Sequence, residues 1–299
     1  MQFKKRFTQK GNAIVCSFDL QLATYNYRKE TKMKKTKIPI ILFLILTSFL
    51  FYCATTGPEG KKSLILISTD QEVSIGKQFA DEVDSTNRIS QDKVLQSYVN
   101  DVGQKIAKIS DRPNLDYHFS VIDTPIVNAF ACPGGFIYVY TGLLKIMDNE
   151  AQLAGVLSHE ISHIVARHSV KRLQQILGVQ VLLSIALGES SELTKNAVNT
   201  GIGIVLQGYS RENEFEADKY GTYYMTQAGY NPQGMAQLLE KIQKLSKEKP
   251  GFFEKLMATH PPAEERITEV NKLIDSYGPE TKKLPYGQEE YQKMKSRLK

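Results

Sequence analysis

Over most of this chain the apolar side chains keep step with a helix. Between Ser74 and Ala107 they recur at Ile75, Phe79 and Val83, then at Val94, Tyr98, Val102 and Ile106, a spacing that predicts two helices. Asp116 to Asp123 instead alternates apolar and polar positions, the period of a strand, and Phe136 to Tyr140 reads as a second strand behind a Pro133-Gly134-Gly135 turn. Glu150 to Leu177 predicts one long helix with Leu153, Val156, Leu157, Ile161, Ile164 and Val165 on its buried stripe. The apolar stretches 176–187 and 197–206 both contain Gly and fall short of the ~20 residues a bilayer-spanning helix needs. They read as core helices or as a cover over a cleft. A helix from Arg211 to about Ala228 is closed by Gly229 and Pro232, and helical spacing resumes from Gln233 to about Asp275. With no internal repeat, residues 71–275 form one domain with far more helix than strand. Residues 276–299 are polar and Lys-rich and are expected to be a loose tail.

The front of the chain follows a different pattern. The basic segment Met33 to Lys37 runs into fifteen almost wholly apolar residues, Ile38 to Tyr52. That length suits a signal-peptide core of roughly 7–15 residues better than a membrane span. A signal peptide over 33–52 is therefore expected. Translation is expected to start at Met33, because residues 1–32 would bury the charged flank inside the chain. Leu50-Phe51-Tyr52-Cys53 resembles a bacterial lipobox, with its Leu three residues before the Cys. Lipidation of Cys53 would then anchor the chain to a membrane, and Ala54 favours the outer membrane over the inner. An uncleaved anchor is the alternative, and in both cases the domain lies outside the cytoplasm. Residues 53–70, with Gly57-Pro58 and Gly60 among polar neighbours, are expected to be a tether.

Charge changes little in this picture. The net charge of +6 comes from residues 1–52, which hold ten Lys/Arg against two Asp/Glu; the remaining 28 Lys/Arg and 30 Asp/Glu give −2. No nucleic-acid partner is implied. Three cysteines, at 16, 53 and 132, form no CxxC pair, which argues against a cysteine metal site or a disulfide framework.

The chemistry lies in His159-Glu160-Ile161-Ser162-His163. Residues four apart on a helix stand ~40° apart around its axis, so both imidazoles can reach one cation. Glu160 projects ~100° round from His159, beside the cation, where a base must stand to take a proton from a water on the metal. The bland reading is two surface histidines, and the apolar flanks of the segment weaken it. A catalytic zinc needs a third protein ligand and an open position. His168 fails as that ligand. The pattern with a third His places a Gly three and a His six residues past the second His, where this chain has Ala166 and Ser169. On a continuing helix His168 would also point ~180° away from His159, so it reads as a structural or surface residue. Glu214 and Asp218 are better placed. Spaced i, i+4, they present two carboxylates on one helix face, one able to bind zinc and the other to accept a hydrogen bond from a ligating His.

The HExxH motif, Glu214-Phe-Glu-Ala-Asp218, Asn128-Ala-Phe-Ala-Cys-Pro-Gly-Gly135 and Thr259-His-Pro-Pro262 together resemble the HtpX-like family of gluzincin peptidases, which includes the CAAX prenyl proteases. The match is in order over roughly residues 70–270, and in organisation it is similar to the family's periplasmic lipoprotein branch. The resemblance implies an α+β, predominantly helical zincin-type domain with a small β-sheet over the active-site helix. It implies one Zn2+ held by His159, His163 and Glu214, with Glu160 as catalytic base and Asp218 behind the ligands. It also implies that Asn128, Ala129 and Phe130 lie on or beside an edge strand that holds substrate backbone by strand addition. His260, on a backbone stiffened by two prolines, would by the same resemblance plug the open zinc position. A helix cap near Ala263 and a transition-state donor are its other possible roles; Arg211 and Tyr209 are further donor candidates.

The expected function is a zinc endopeptidase of the cell envelope, lipid-anchored and facing the periplasm, that cuts unfolded or misassembled proteins. Two rivals are a chaperone-like holder of such clients and a surface lipoprotein with a purely structural zinc. The open three-ligand set and Glu160 speak against the last.

Overall fold

The computed structural model describes residues 53–56, 61–261 and 264–298. The expected leader, 1–52, lies outside them, as does the side chain of Cys53. A two-stranded ribbon, β1 (Cys53–Thr56) and β2 (Lys61–Leu64), precedes a body of twelve described α-helices and a three-stranded sheet. Among the described residues no helix is long and apolar enough to cross a membrane.

The body begins earlier than residue 71. Ile65 and Ile67 are buried, and α1 (Thr69–Thr86) starts at a Ser68–Gln71 capping box. The alternation of Ile65 and Ile67 with polar or exposed neighbours seats this end of the expected tether against the core. Helix α2 (Lys93–Ala107) follows, capped by Asp92.

Strands β3 (His118–Ile122), β4 (Ala129–Ala131) and β5 (Phe136–Tyr140) form the sheet in the order β3-β5-β4. β3 runs parallel to β5 and β4 antiparallel, with Phe130 opposite Tyr138. β5 is buried on both faces and divides its residues between two cores with the strand period: Ile137 and Val139 to one, Tyr138 and Tyr140 to the other. The second core lies under α1, α5 (His168–Leu177), α6 (Val179–Ala186) and α7 (Glu192–Val205). The stretches 176–187 and 197–206 are thus packed helices, burying Leu182, Ile185, Ile204 and Val205. Cys132 is a buried free thiol.

The first core surrounds α4 (Glu150–Val165), reached from β5 through the short helix α3 (Thr141–Ile146). α4 packs against α8 (Arg211–Gln227) and α9 (Gln233–Glu248), with α10 (Pro250–Thr259) and α11 (Glu264–Ser276) beyond. Gly221 sets the approach of α8 to the motif. A Cβ there would lie 3.0 Å from the backbone N of His159, so only glycine lets α8 meet α4 at the motif.

Two expectations are corrected. The helix predicted over Glu150–Leu177 is two helices, because Arg167 takes the left-handed conformation (φ 55°) between α4 and α5. An L-residue held there costs ~1–3 kcal/mol. The conformation is offset by a buried ion pair of Arg167 Nε with Glu72 (2.8 Å) and by donation to the Ile67 carbonyl at 2.6 Å. Arg112 donates to both Glu72 oxygens and to the Ile164 carbonyl, each at 3.0 Å, which ties the end of α4 to α1.

The C-terminal segment is not a loose tail. It ends in α12 (Gln288–Lys295), whose Tyr291 is buried and donates to the Leu144 carbonyl at 2.6 Å. The Tyr286 carbonyl accepts the Ala151 N–H, one of the donors that α4 leaves unpaired at its start. A mostly polar segment packs here through one aromatic side chain and its own backbone.

Candidate functional site

Four side chains converge where α4, α8 and the turn after α10 meet: His159, His163, Glu214 and His260, all buried. α4 presents the two imidazoles one turn apart, with Nε2 of His159 and Nε2 of His163 3.0 Å apart. α8, started by Ser210 as N-cap, brings the Glu214 carboxylate within 3.5 Å of both nitrogens. His260 follows the last residue of α10 and places Nδ1 3.3 Å from His159 Nε2 and 3.2 Å from each Glu214 oxygen. Gly208 (φ +84°) permits that fit, since a Cβ there would stand 2.3 Å from the Ala258 carbonyl.

These separations suit zinc. A tetrahedron with Zn–N and Zn–O bonds of ~2.0–2.1 Å puts its ligand atoms roughly 3.3–3.4 Å apart. The donor set, imidazole nitrogens and one carboxylate, is also what zinc takes.

Glu160 stands beside the cluster as its place on the helix requires. One carboxylate oxygen is 3.4 Å from His260 Nε2; the other is buried without a hydrogen-bond partner. Burial raises its pKa above the ordinary carboxylate range, against the pull of His260 and His159. Burial would raise Glu214 too, but His260, Arg266 and the two ring nitrogens outweigh it and hold that carboxyl well below the usual range. The two carboxyls are thus pushed in opposite directions, Glu214 toward the anion and Glu160 toward the protonated form.

Asp218 accepts from His159 Nδ1 at 2.9 Å. Burial works against a proton on His159, yet Asp218 and Glu214 prevail and raise the metal-free ring to about 10. His163 is pulled well below the ordinary value, chiefly by burial.

Sequence reasoning missed Arg266, and it gave Tyr209 and His168 other roles. Arg266 is buried on α11; its Nε donates to Asp218 at 2.6 Å and its NH1 lies 2.8 Å from Glu214. Burial opposes its charge, but Asp218 and Glu214 raise its pKa. A signal existed: Arg266, Val270 and Ile274 are spaced i, i+4, i+8, so a cation sits on the apolar stripe of its helix. Tyr209 stacks on His163 (centroids 4.0 Å, 19°) while its hydroxyl pairs with Ser169 at 2.7 Å. His168, expected to point away, is buried with Nδ1 2.8 Å from His163 Nδ1, because the break at Arg167 turns it back. Arg211, a donor candidate, is instead exposed and paired with Glu265.

β4 is an edge of the sheet, with β5 on one side only. Asn128, Ala129 and Phe130 are all buried, and Asn128 accepts from the Thr259 hydroxyl at 3.0 Å, next to His260. An apolar pocket lined by Ala129, Leu143, Val156, Leu238 and Ile242 also has His159, Glu160 and His260 in its wall.

The sequence profile of Peptidase family M48 matches residues 93–274. The chain is 29% identical over 240 residues to the beta-barrel assembly-enhancing protease of Escherichia coli (strain K12), covering 76% of this chain and 48% of that protein. It is 33% identical over 183 residues to the mitochondrial metalloendopeptidase OMA1 of Schizosaccharomyces pombe, covering 59% and 52%. To the metalloprotease YcaL of Escherichia coli (strain K12) it is 27% identical over 231 residues, covering 74% and 87%. The chain spans about half the length of the first two of these relatives.

Proposed function

The chain belongs to peptidase family M48, a family of zinc-dependent metallopeptidases, and on that premise we propose that it is an endopeptidase of the cell envelope that cuts unfolded or misassembled proteins. In this reading His159, His163 and Glu214 hold the zinc, Asp218 orients His159, and Glu160 is the general base. The observation that carries it is the convergence of the three donors, at zinc-like separations, beside a buried carboxylate with one unpartnered oxygen.

When bound, zinc supplies a Lewis acid that polarises the scissile carbonyl and makes water acidic enough to lose a proton near neutral pH. The protein groups do the rest. Glu160, raised by burial, takes that proton and delivers it to the leaving amine. The free edge of β4 receives the substrate as an added strand, with Asn128, Ala129 and Phe130 supplying backbone. The apolar pocket that Glu160 helps to line is suited to an apolar side chain of the substrate. Unfolded chains offer extended backbone and bare apolar side chains together, which supports them as the substrate class.

His260 would complete the donor set as a fourth, removable ligand, and cleavage would then require it to withdraw. Asn128 is bonded to the residue beside it, so substrate entering along β4 and release of His260 involve the same segment. Cys53, lipidated after removal of the leader, ties the domain to the outer membrane on its periplasmic face.

The test is cleavage of a denatured, fluorescently labelled protein, with and without a zinc chelator, by wild type and Glu160→Gln. Cleavage is expected to stop with chelator. In Glu160→Gln it should fall by ~10²–10⁴-fold with zinc content unchanged, because the base is not a ligand. An undiminished rate in that variant removes Glu160 from the mechanism.

A further inference from the structure

His159 and His163 face the same donors but are held from behind in different ways. His159 Nδ1 has the Asp218 carboxylate at 2.9 Å. Behind His163 the partner is a third imidazole: His168 Nδ1, at 2.8 Å, on a side chain with its surface 1% exposed. Tyr209 lies flat on the His163 ring, which restrains the plane but does not decide which nitrogen carries the proton.

Two Nδ1 atoms this close share one proton, so one ring donates and the other accepts. A neutral imidazole that offers its Nε2 lone pair to a metal keeps its proton on Nδ1. His163 is then the donor, His168 accepts, and the neutral His168 ring carries its own proton on Nε2. That nitrogen is buried without a hydrogen bond of ordinary geometry, and the group it faces is the Glu216 carboxylate at 3.5 Å. Each link leaves a single arrangement of protons for the next.

We propose that His168 is a positioning residue of the metal site: it fixes the tautomer and the rotation of His163, and Glu216 fixes the tautomer of His168 in turn. The left-handed turn at Arg167 is what makes the relay reachable, since it returns His168 to the ring five residues earlier. The bland alternative is a histidine that merely fills core volume. It differs in one respect: any side chain of similar size would serve equally well.

The inference rests on His163 being a zinc ligand, and the test separates the two. Zinc(II) affinity of the full chain is measured by competition with a chromophoric chelator for wild type, His163→Ala, His168→Phe, His168→Asn and Glu216→Leu. Thermal midpoints of the metal-free forms are taken alongside. His168→Phe keeps the volume but cannot accept the proton, and is expected to weaken zinc binding by ~10–100-fold, the usual effect of losing a partner behind a ligand. His168→Asn, whose side-chain carbonyl can accept it, should recover most of that loss although it fills the core less well. Glu216→Leu touches neither ring of the ligand pair and should lose several-fold. Zinc affinity within twofold of wild type in His168→Phe, or an Asn variant as weak as the Phe variant, overturns the proposal. Unchanged affinity in Glu216→Leu overturns the outer link, and it remains measurable if the Phe variant does not fold. If His163→Ala binds zinc like wild type, the ligand assignment falls and this inference with it.

Discussion

The donor cluster has two unlike sides. On the side of α4 and α8, His159, His163 and Glu214 each have a further buried partner: Asp218, His168 and Arg266. On the side of the turn after α10, the ring nitrogens of His260 meet His159, Glu214 and Glu160, all neighbours within the cluster itself. A ligand with its own outer partner stays in place when the metal is gone. His260 is held by the groups it would have to leave. In the proposed function one half would keep the metal and the other could be withdrawn, and the two are separable by experiment.

The largest effect should come from the half that would keep the metal. Glu214→Ala removes the one anionic donor and is expected to weaken zinc binding by more than ~100-fold, beyond what losing an outer partner does. Chelator competition measures it. If zinc binds that variant as tightly as wild type, the third ligand lies elsewhere.

Next comes the support of that half. Arg266→Met leaves Asp218 and Glu214 buried without their cation, which should destabilise the folded chain by ~3–5 kcal/mol. Denaturant unfolding measures the loss. A much smaller cost would mean that water reaches the pair.

His260→Ala tests the withdrawable half and should act in the opposite sense. Basal cleavage per folded molecule should rise several-fold, while zinc content and thermal midpoint change little. Unchanged cleavage excludes the plug. A large fall in cleavage with zinc retained makes His260 a donor to the transition state instead.

The smallest effect is on pH dependence without metal. The metal-free pKa of His159 is about 10, above the ordinary value near 6.5. A raised pKa stabilises the fold fully below the unfolded value, and that contribution is lost as pH climbs through the folded one. The thermal midpoint of the chelated protein should therefore decline between pH 7 and 10. Zinc loading within this window must expel a proton from His159, so zinc affinity should rise with pH. A flat midpoint over this range would show that Asp218 does not hold that proton.

Much of this was legible in the sequence because helical periodicity is a local signal. The phases of α1, α2, α4 and α8, the two longer strands, the HExxH pair with Glu160 between, and the i, i+4 carboxylates all follow from spacing of a few residues. What was not legible depends on distant partners. Nothing near Arg167 announces a break, since neither Gly nor Pro is there; the left-handed residue is held by Glu72 and the Ile67 carbonyl. A helix continued through Arg167 would put His168 on the far side from His159; the break brings it back to His163. The C-terminal segment looked loose because its attachment uses backbone groups and a single Tyr291, which leave no apolar period to read. Arg266 had a signal, a cation on an apolar stripe, but its two partners are far away in sequence.

The ionic triad of Glu72, Arg112 and Arg167 also bears on how the molecule can be cut. Glu72 precedes the stretch 93–274 that matches the family profile, whereas both arginines fall within it. A fragment trimmed to the matched boundary would carry the buried Arg167 and the half-buried Arg112 without the Glu72 carboxylate between them. It would also lose the α1 anchor that ends the helix bearing HExxH. The packed body therefore reaches upstream of the matched stretch, through α1 and its Ser68 cap to the buried Ile65 and Ile67, whose carbonyl at 67 holds Arg167.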